Sequence, residues 1–249
     1  MSQSPILKAL SSIRRSGART LLMGGQACVF YGAAEFSRDL DLLILADAAN
    51  LSYLARALDV LDAEAIAVPP LEARHLLRGH ACHFRCRRED VAGLRIDLMS
   101  CLRGAAGFEE LWARRTTIEA AGELIDLLAM EDLVRAKKTQ RDKDWPMIRR
   151  LVEQSYFSHS ANATGDLARF WLRELRTPEL LVEVAGAHPE LADAEAGMRP
   201  PVQAALAARL DDVSEALQAE EREERRKDRE YWAPLRKELE EFRLGRRRG

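Results

Sequence analysis

No run of about 18 consecutive apolar residues occurs in the sequence, which leaves no candidate for a membrane-spanning helix. The opening stretch MSQSPILKALSSIRRSG lacks the apolar segment and small-residue cleavage site of a secretory signal, so a cytoplasmic location is expected. Cysteine is scarce. Cys28, Cys82, Cys86 and Cys101 are too few for a disulfide framework in a chain of 249 residues, and they are expected as thiols packed in the core. An excess of charge of one sign is missing too: 38 Lys and Arg stand against 40 Asp and Glu, a formal net charge of -2. Global attraction to nucleic acid or an anionic membrane is thereby excluded, an RNA-binding module is disfavoured, and any site for a polyanion must be local. Internal repeats and low-complexity linkers are absent as well. No Ser, His and Asp set and no Cys and His set declares itself as a nucleophilic centre.

What the chain does have is a 47% hydrophobic content, enough to fill a packed core. Its first half alternates between helical and extended patterns, the mark of mixed α+β structure. Ile6, Leu10 and Ile13 repeat at helical spacing, and Arg19 to Met23 form a short apolar run closed by Gly24-Gly25. Gln26 to Ala34 suit a helix, Leu40 to Leu45 a strand around Asp41, and Leu51, Leu54, Leu58 and Leu61 another helix. From His80 to Arg88 the residues alternate, with Cys82, Phe84 and Cys86 on one face and His83, Arg85 and Arg87 on the other. Leu94, Ile96 and Leu98 likewise share a face, which leaves Arg95 and Asp97 on the opposite one. Glu123 to Leu128 read as a last short strand or helix entry, and Met130 to Lys138 as a helix.

Beyond Asp144 the pattern is helical almost throughout. The expected organisation is a small mixed sheet with flanking helices over residues 1–145, followed by an all-helical region over 146–249. Val202, Leu206, Leu210, Val213 and Leu217 form an apolar seam. After it, Gln218 to Glu230 is a charged run that pairs Glu221 with Arg225 and Glu223 with Lys227 at i,i+4 spacing, as a solvated helix face does. Pro234 is expected to kink or restart that helix.

The chemistry concentrates in Leu21-Leu22-Met23-Gly24-Gly25-Gln26-Ala27 and Phe36-Ser37-Arg38-Asp39-Leu40-Asp41. Two aspartates one residue apart on a strand project from the same face, and like charges that close are unfavourable unless a cation sits between them. Carboxylate oxygens suit Mg²⁺ or Mn²⁺, which keeps part of its water shell and takes other ligands from phosphates. Asp97, on the polar face of a neighbouring strand, is the candidate third carboxylate, so the metal set is Asp39, Asp41 and Asp97. Gly24 and Gly25 would let the backbone approach a phosphate at the start of the following helix, and Ser37 could add a hydrogen bond there. Zinc at His80, Cys82, His83 and Cys86 is disfavoured, because alternation sends the two cysteines away from His83.

An apolar strand, Gly-Gly, a helix, Asp-apolar-Asp and a later Asp, here Gly24-Gly25, Asp39-Leu40-Asp41 and Asp97, resemble the nucleotidyltransferase superfamily with its polymerase-β-like fold. The resemblance covers residues 19–145. Within that superfamily the chain is similar to small bacterial members of the abortive-infection and toxin type, whose habit of a Leu-Glu-Asp-Leu-like helix bearing lysines is matched by Leu128-Ala129-Met130-Glu131-Asp132-Leu133 followed by Lys137-Lys138. Many relatives carry Arg where Glu35 stands; here the basic residue is Arg38. The resemblance implies a metal-dependent transfer of a nucleoside monophosphate from an NTP to a hydroxyl, with Lys137 touching the triphosphate and Asp97 helping to deprotonate the acceptor. A protein side chain, a tRNA end or a small molecule would each serve as acceptor, and a homo-oligomer or an antitoxin partner is compatible. The rival expectation is a catalytically silent protein of the same fold that binds or assembles through its C-terminal helices.

Overall fold

The computed structural model describes residues Ser4–Arg248, with side chains as far as Gly245. The chain begins with helix α1 (Pro5–Arg15), whose N-cap Ser4 accepts a hydrogen bond from the Leu7 N–H at 3.3 Å, with Pro5 in the first turn. Ala9, Leu10 and Ile13 are its buried side. Strand β1 (Thr20–Met23), helix α2 (Gly24–Phe30), strand β2 (Asp39–Ile44) and helix α3 (Ala48–Val60) follow. Then come β3 (Ala63–Ala65), α4 (Ala73–Arg78), β4 (Cys82–Cys86), β5 (Arg95–Met99), α5 (Phe108–Ala113), β6 (Thr116–Ala120), β7 (Glu123–Leu127) and α6 (Met130–Ala136).

The strands form one seven-stranded mixed sheet in the order β3-β4-β5-β2-β1-β7-β6. Pairing is parallel between β2 and β5 and between β1 and β7, and antiparallel elsewhere. The central strands carry the core, because Leu21, Leu22, Leu40, Leu42, Ile44, Ile96 and Leu98 are all fully buried. Asn50 sets the register between β1 and β2. Its Oδ1 accepts from the Arg19 N–H at 2.7 Å, and its Nδ2 donates to the carbonyls of Arg19 and Leu45 at 3.1 and 2.8 Å. Both strands are thus clamped at the end remote from Gly24, and Met23 falls opposite Asp41. Asn50 is itself 4% exposed, so these bonds are also what makes its burial tolerable.

Helices α7 (Asp144–His159), α8 (Gly165–Glu174), α9 (Pro178–Ala187), α10 (Pro189–Ala196), α11 (Pro200–Leu206) and α12 (Leu210–Arg248) complete the α+β architecture. Two compact units result. The first comprises the residues up to Phe30, Ala34–Ala136 and the stretch from Tyr231 onward; the second comprises Tyr31–Ala33 and Lys137–Glu230. A single boundary at residue 145 does not describe this division, because the last turns of α12 count with the sheet. There Leu235 is 2% exposed, Glu238 accepts from Arg78 Nε at 3.0 Å and meets His80 Nε2 at 2.8 Å, and the Phe242 ring stands edge-on to His75 and His80. Pro234 lies inside α12, which runs on past it without a restart.

The expected apolar seam is broken. Val202, Val213 and Leu217 are buried, but Leu206 and Leu210 are exposed, because α11 ends at Leu206 and the chain turns through Ala208 at φ +54 before α12 begins. The charged run does make its i,i+4 pairs, with Arg225 Nε to Glu221 Oε1 at 3.0 Å and Lys227 Nζ to Glu223 Oε1 at 3.9 Å. It is not wholly solvated, since Asp228 within it is 2% exposed and accepts from the Gln140 N–H at 2.8 Å. In the second unit Trp171 and Tyr156 are packing residues, with rings 5.2 Å apart edge-on.

Candidate active site

Strand register brings the acidic residues to one face of the sheet. Across the parallel β2 and β5 pair, Asp41 is the partner of Asp97, and Asp39 is the partner of Arg95. Partners on adjacent strands project to the same side, so three carboxylates and one guanidinium share that face. On the far side of β5, His83 of β4 is the partner of Asp97. Asp39 is exposed, Asp41 is half-buried and Asp97 is 9% exposed.

Gly24 follows Met23, and Met23 is opposite Asp41 in the antiparallel β1 and β2 pair. Gly24 has φ +69, and a Cβ there would stand 1.9 Å from Asp41 Oδ2. A Cβ on Gly25 would stand 2.7 Å from Ser37 Oγ. The structure therefore brings Gly24, Gly25, Ser37 and Asp41 together, and gives the two glycines a specific task. They make room for the Asp41 carboxylate and the Ser37 hydroxyl, which the sequence had suggested they would do for a phosphate. The Ser37 hydroxyl donates to the Asp39 carbonyl at 3.4 Å, a long bond that ties the loop to the first residue of β2. Next to it, the Arg38 guanidinium lies 5.9 Å from the centre of the exposed Phe36 ring.

Asp97 is held by two neighbours: Arg95, which strand alternation places on the same face, and His83, which the sequence did not connect with it. Arg95 Nε donates to Asp97 Oδ1 at 2.8 Å, and His83 Nδ1 lies at the same distance from that oxygen. Burial alone would push the Asp97 carboxyl up, but the hydrogen bonds and charges of His83 and Arg95 outweigh it, and the group sits below the ordinary carboxylate range. An ionised Asp97 places the proton on His83 Nδ1, which donates to it; the Arg95 Nη2 to Nδ1 separation of 3.1 Å is then a packing contact. The Arg95 guanidinium is held above its ordinary value, chiefly by its bond to Asp97, against burial, with the charges of Asp97, Asp39 and Asp41 adding to the effect.

This donor set suits a hard divalent cation in one particular way. Asp39 and Asp41 offer only oxygen, from adjacent positions on one strand face, which matches Mg²⁺ or Mn²⁺ bound through one or two carboxylates and completed by water and phosphate. Among the described residues no three His, Cys, Asp or Glu side chains converge into a ready chelating set. An all-protein cage is therefore not what the geometry offers. Lys137 belongs to the second unit, where its ammonium is 3.3 Å from Asp144 Oδ1 and the residue is 8% exposed. Cys82 and Cys86 are buried on the face opposite His83, and burial raises both thiols, Cys82 to about 11.

His83 and Arg95 are the residues that sequence reasoning missed. The signal for Arg95 was present, since a side chain two residues before Asp97 on a strand shares its face. His83 needed the pairing of β4 with β5, which no local pattern supplies.

No family model matches the chain, and no curated protein matches it. Among solved structures it is similar to a protein from H. pylori provisionally described as a nucleotidyltransferase, at 15% identity and a TM-score of 0.42, over 90% of this chain and 94% of that one. It is also similar to an antigenic nucleotidyltransferase-like protein from Paracoccidioides brasiliensis, at 16% identity and a TM-score of 0.39, over 76% of this chain and 89% of that one.

Proposed function

We propose that the chain transfers a nucleoside monophosphate from a nucleoside triphosphate to a hydroxyl acceptor, releasing pyrophosphate. One observation carries this reading: Asp41 lies packed over Gly24 and directly across from Asp97, with Asp39 and Ser37 beside it. A Gly-Gly turn, an Asp-x-Asp strand and an acid on the adjacent strand thus meet at one place, from three separate parts of the chain.

Asp39 and Asp41 would hold Mg²⁺ or Mn²⁺, which supplies charge neutralisation for the triphosphate and acidifies a hydroxyl bound to it. Gly24, by lacking a Cβ, lets the Asp41 carboxylate lie close against the β1 turn. Ser37 offers its hydroxyl to a phosphate oxygen by giving up its long bond to the Asp39 carbonyl. Asp97, kept ionised by Arg95 and His83, accepts a hydrogen bond from the acceptor hydroxyl and orients it.

Calorimetry with Mg²⁺ and non-hydrolysable analogues of the four NTPs tests binding, and incorporation of labelled nucleotide into cell extract tests transfer. At least one analogue should bind in a Mg²⁺-dependent manner, and the double change Asp39→Asn, Asp41→Asn should weaken that binding by about tenfold or more. Absence of Mg²⁺-dependent binding by every analogue, or binding indifferent to the double change, overturns the reading.

A further inference from the structure

We propose that Arg95 is a built-in counter-cation for the acidic face, so that the nucleotide site takes a single divalent cation, held by Asp39 and Asp41, and not a pair. The proposal rests on the nucleotide reading given above and specifies its metal content. Register fixes the composition of the face: Asp39 beside Arg95 and Asp41 beside Asp97, three carboxylates to one guanidinium. Arg95 is not at the margin of this group. Its Nε is bonded to Asp97 Oδ1 at 2.8 Å, and its charge interacts with Asp39 and Asp41 as well.

The oxygen that Arg95 holds is also the one that His83 Nδ1 reaches, at 2.8 Å from the other side. Asp97 Oδ1 therefore has two donors already, and the residue is 9% exposed, so access to it from solvent is narrow. A second dication bridging Asp41 and Asp97 would sit within a few ångströms of a guanidinium that cannot lose its proton. To take Oδ1 it would have to displace the Arg95 Nε bond and the His83 bond together. Asp39 is exposed and Asp41 half-buried, so a dication reaches these two carboxylates from solvent more readily than it reaches Asp97. Arg95 thus takes the electrostatic place a second metal would fill, with Asp97 as its anchor.

Electron paramagnetic resonance of Mn²⁺ tests this with the full chain and adenosine 5′-(α,β-methylene)triphosphate as the probe. Wild type should bind one Mn²⁺ per chain at saturation and give the spectrum of an isolated ion. Arg95→Gln, its fold checked by circular dichroism, should take up a second Mn²⁺ and show the spin coupling of a close pair. A coupled pair in the wild type overturns the proposal while leaving the nucleotide reading intact. A folded Arg95→Gln that still binds one ion overturns it as well, since the guanidinium would not be what excludes the second. No Mn²⁺ in the wild-type ternary mixture overturns both. Should Arg95→Gln not fold, the wild-type spectrum still decides between one ion and a pair.

Discussion

Gly24 and Asp41 share one volume: the position a Cβ on Gly24 would occupy lies 1.9 Å from Asp41 Oδ2, 2.5 Å from its Cγ and 2.7 Å from its Cβ. Neither residue can be understood alone. The turn after β1 has a left-handed backbone at φ +69, which glycine adopts without steric cost, and the space left by the missing side chain is filled by the carboxylate from β2. A backbone requirement and a site requirement coincide at a single position.

Substitution at Gly24 should therefore do more damage than its backbone strain explains. Gly93 is the control, since it has φ +82 and nothing within 4 Å of its notional Cβ. Gly93→Ala is expected to cost only the strain of a left-handed L-residue, about 1 kcal/mol. Gly24→Ala must in addition push the Asp41 side chain off the turn, for a total of about 2 kcal/mol or more. It should also weaken Mn²⁺-nucleotide binding by about tenfold, an effect Gly93→Ala should lack. Thermal melts and calorimetry on the two variants check both parts. Equal losses from the two would mean that Asp41 relaxes without consequence.

How far the site was legible follows from the range of each signal. Asp39 and Asp41 were visible because strand alternation is local, and Asp97 because it interrupts an apolar alternation on its own strand. His83 was hidden, since a cross-strand partner depends on register, and here that register is the β4 and β5 pairing, which no local pattern supplies. Of the fold, β1, β2, β4 and β5 announced themselves as apolar or alternating runs. β3 is three residues long, and β6, Thr-Thr-Ile-Glu-Ala, is an edge strand whose identity comes from pairing with β7. Helices α4 and α5 have six residues each, too short to show a period. The return of α12 to the first unit had a local signal that went unread, since Trp232, Leu235, Leu239 and Phe242 repeat at helical spacing within the charged stretch, and the contacts of Leu235 and Phe242 show what that stripe meets.

The second unit contains an ion network whose response to pH has a definite sign. Glu220 accepts from Arg176 Nη1 at 2.8 Å and from Arg199 Nε at 2.9 Å, while Arg199 also donates to the carbonyls of Leu172 and Leu175. Burial would raise the Glu220 carboxyl, but Arg199, Arg176 and Lys138 outweigh it and lower the group from 4.5 to about 2. A folded pKa below the unfolded one contributes stability that is fully present above 4.5 and is lost as pH falls toward about 2. The span corresponds to about 3 kcal/mol. Glu220→Gln should therefore destabilise the protein by roughly that amount at pH 7, with Arg199 left on the Leu172 and Leu175 carbonyls and Arg176 on the Leu217 carbonyl and the more distant Glu221 at 3.6 Å. The difference between wild type and variant should shrink between pH 4.5 and pH 2. Urea unfolding followed by tryptophan fluorescence across that range measures it, and a pH-independent difference would assign the effect to packing.

Lys137 separates two roles that the sequence alone could not. Its ammonium is 3.3 Å from Asp144 Oδ1, and both side chains are nearly covered, at 10% and 3% exposure. Asp144 also accepts from the Thr139 hydroxyl at 2.6 Å and from Arg141 Nε at 2.7 Å. Burial would raise the Asp144 carboxyl; Lys137, Thr139 and Arg141 together bring it below its ordinary value. Lys137→Met removes the cation while keeping most of the aliphatic length, and leaves Asp144 with its two remaining donors. The expected result is a loss of about 2 kcal/mol, less than for a buried charge stripped of all its partners, with nucleotide affinity changed by no more than about threefold. Chemical unfolding and calorimetry on the same preparation give both quantities. A variant that keeps its stability but loses Mg²⁺-nucleotide binding would instead make Lys137 the triphosphate contact that its place after the Leu128–Leu133 motif suggests.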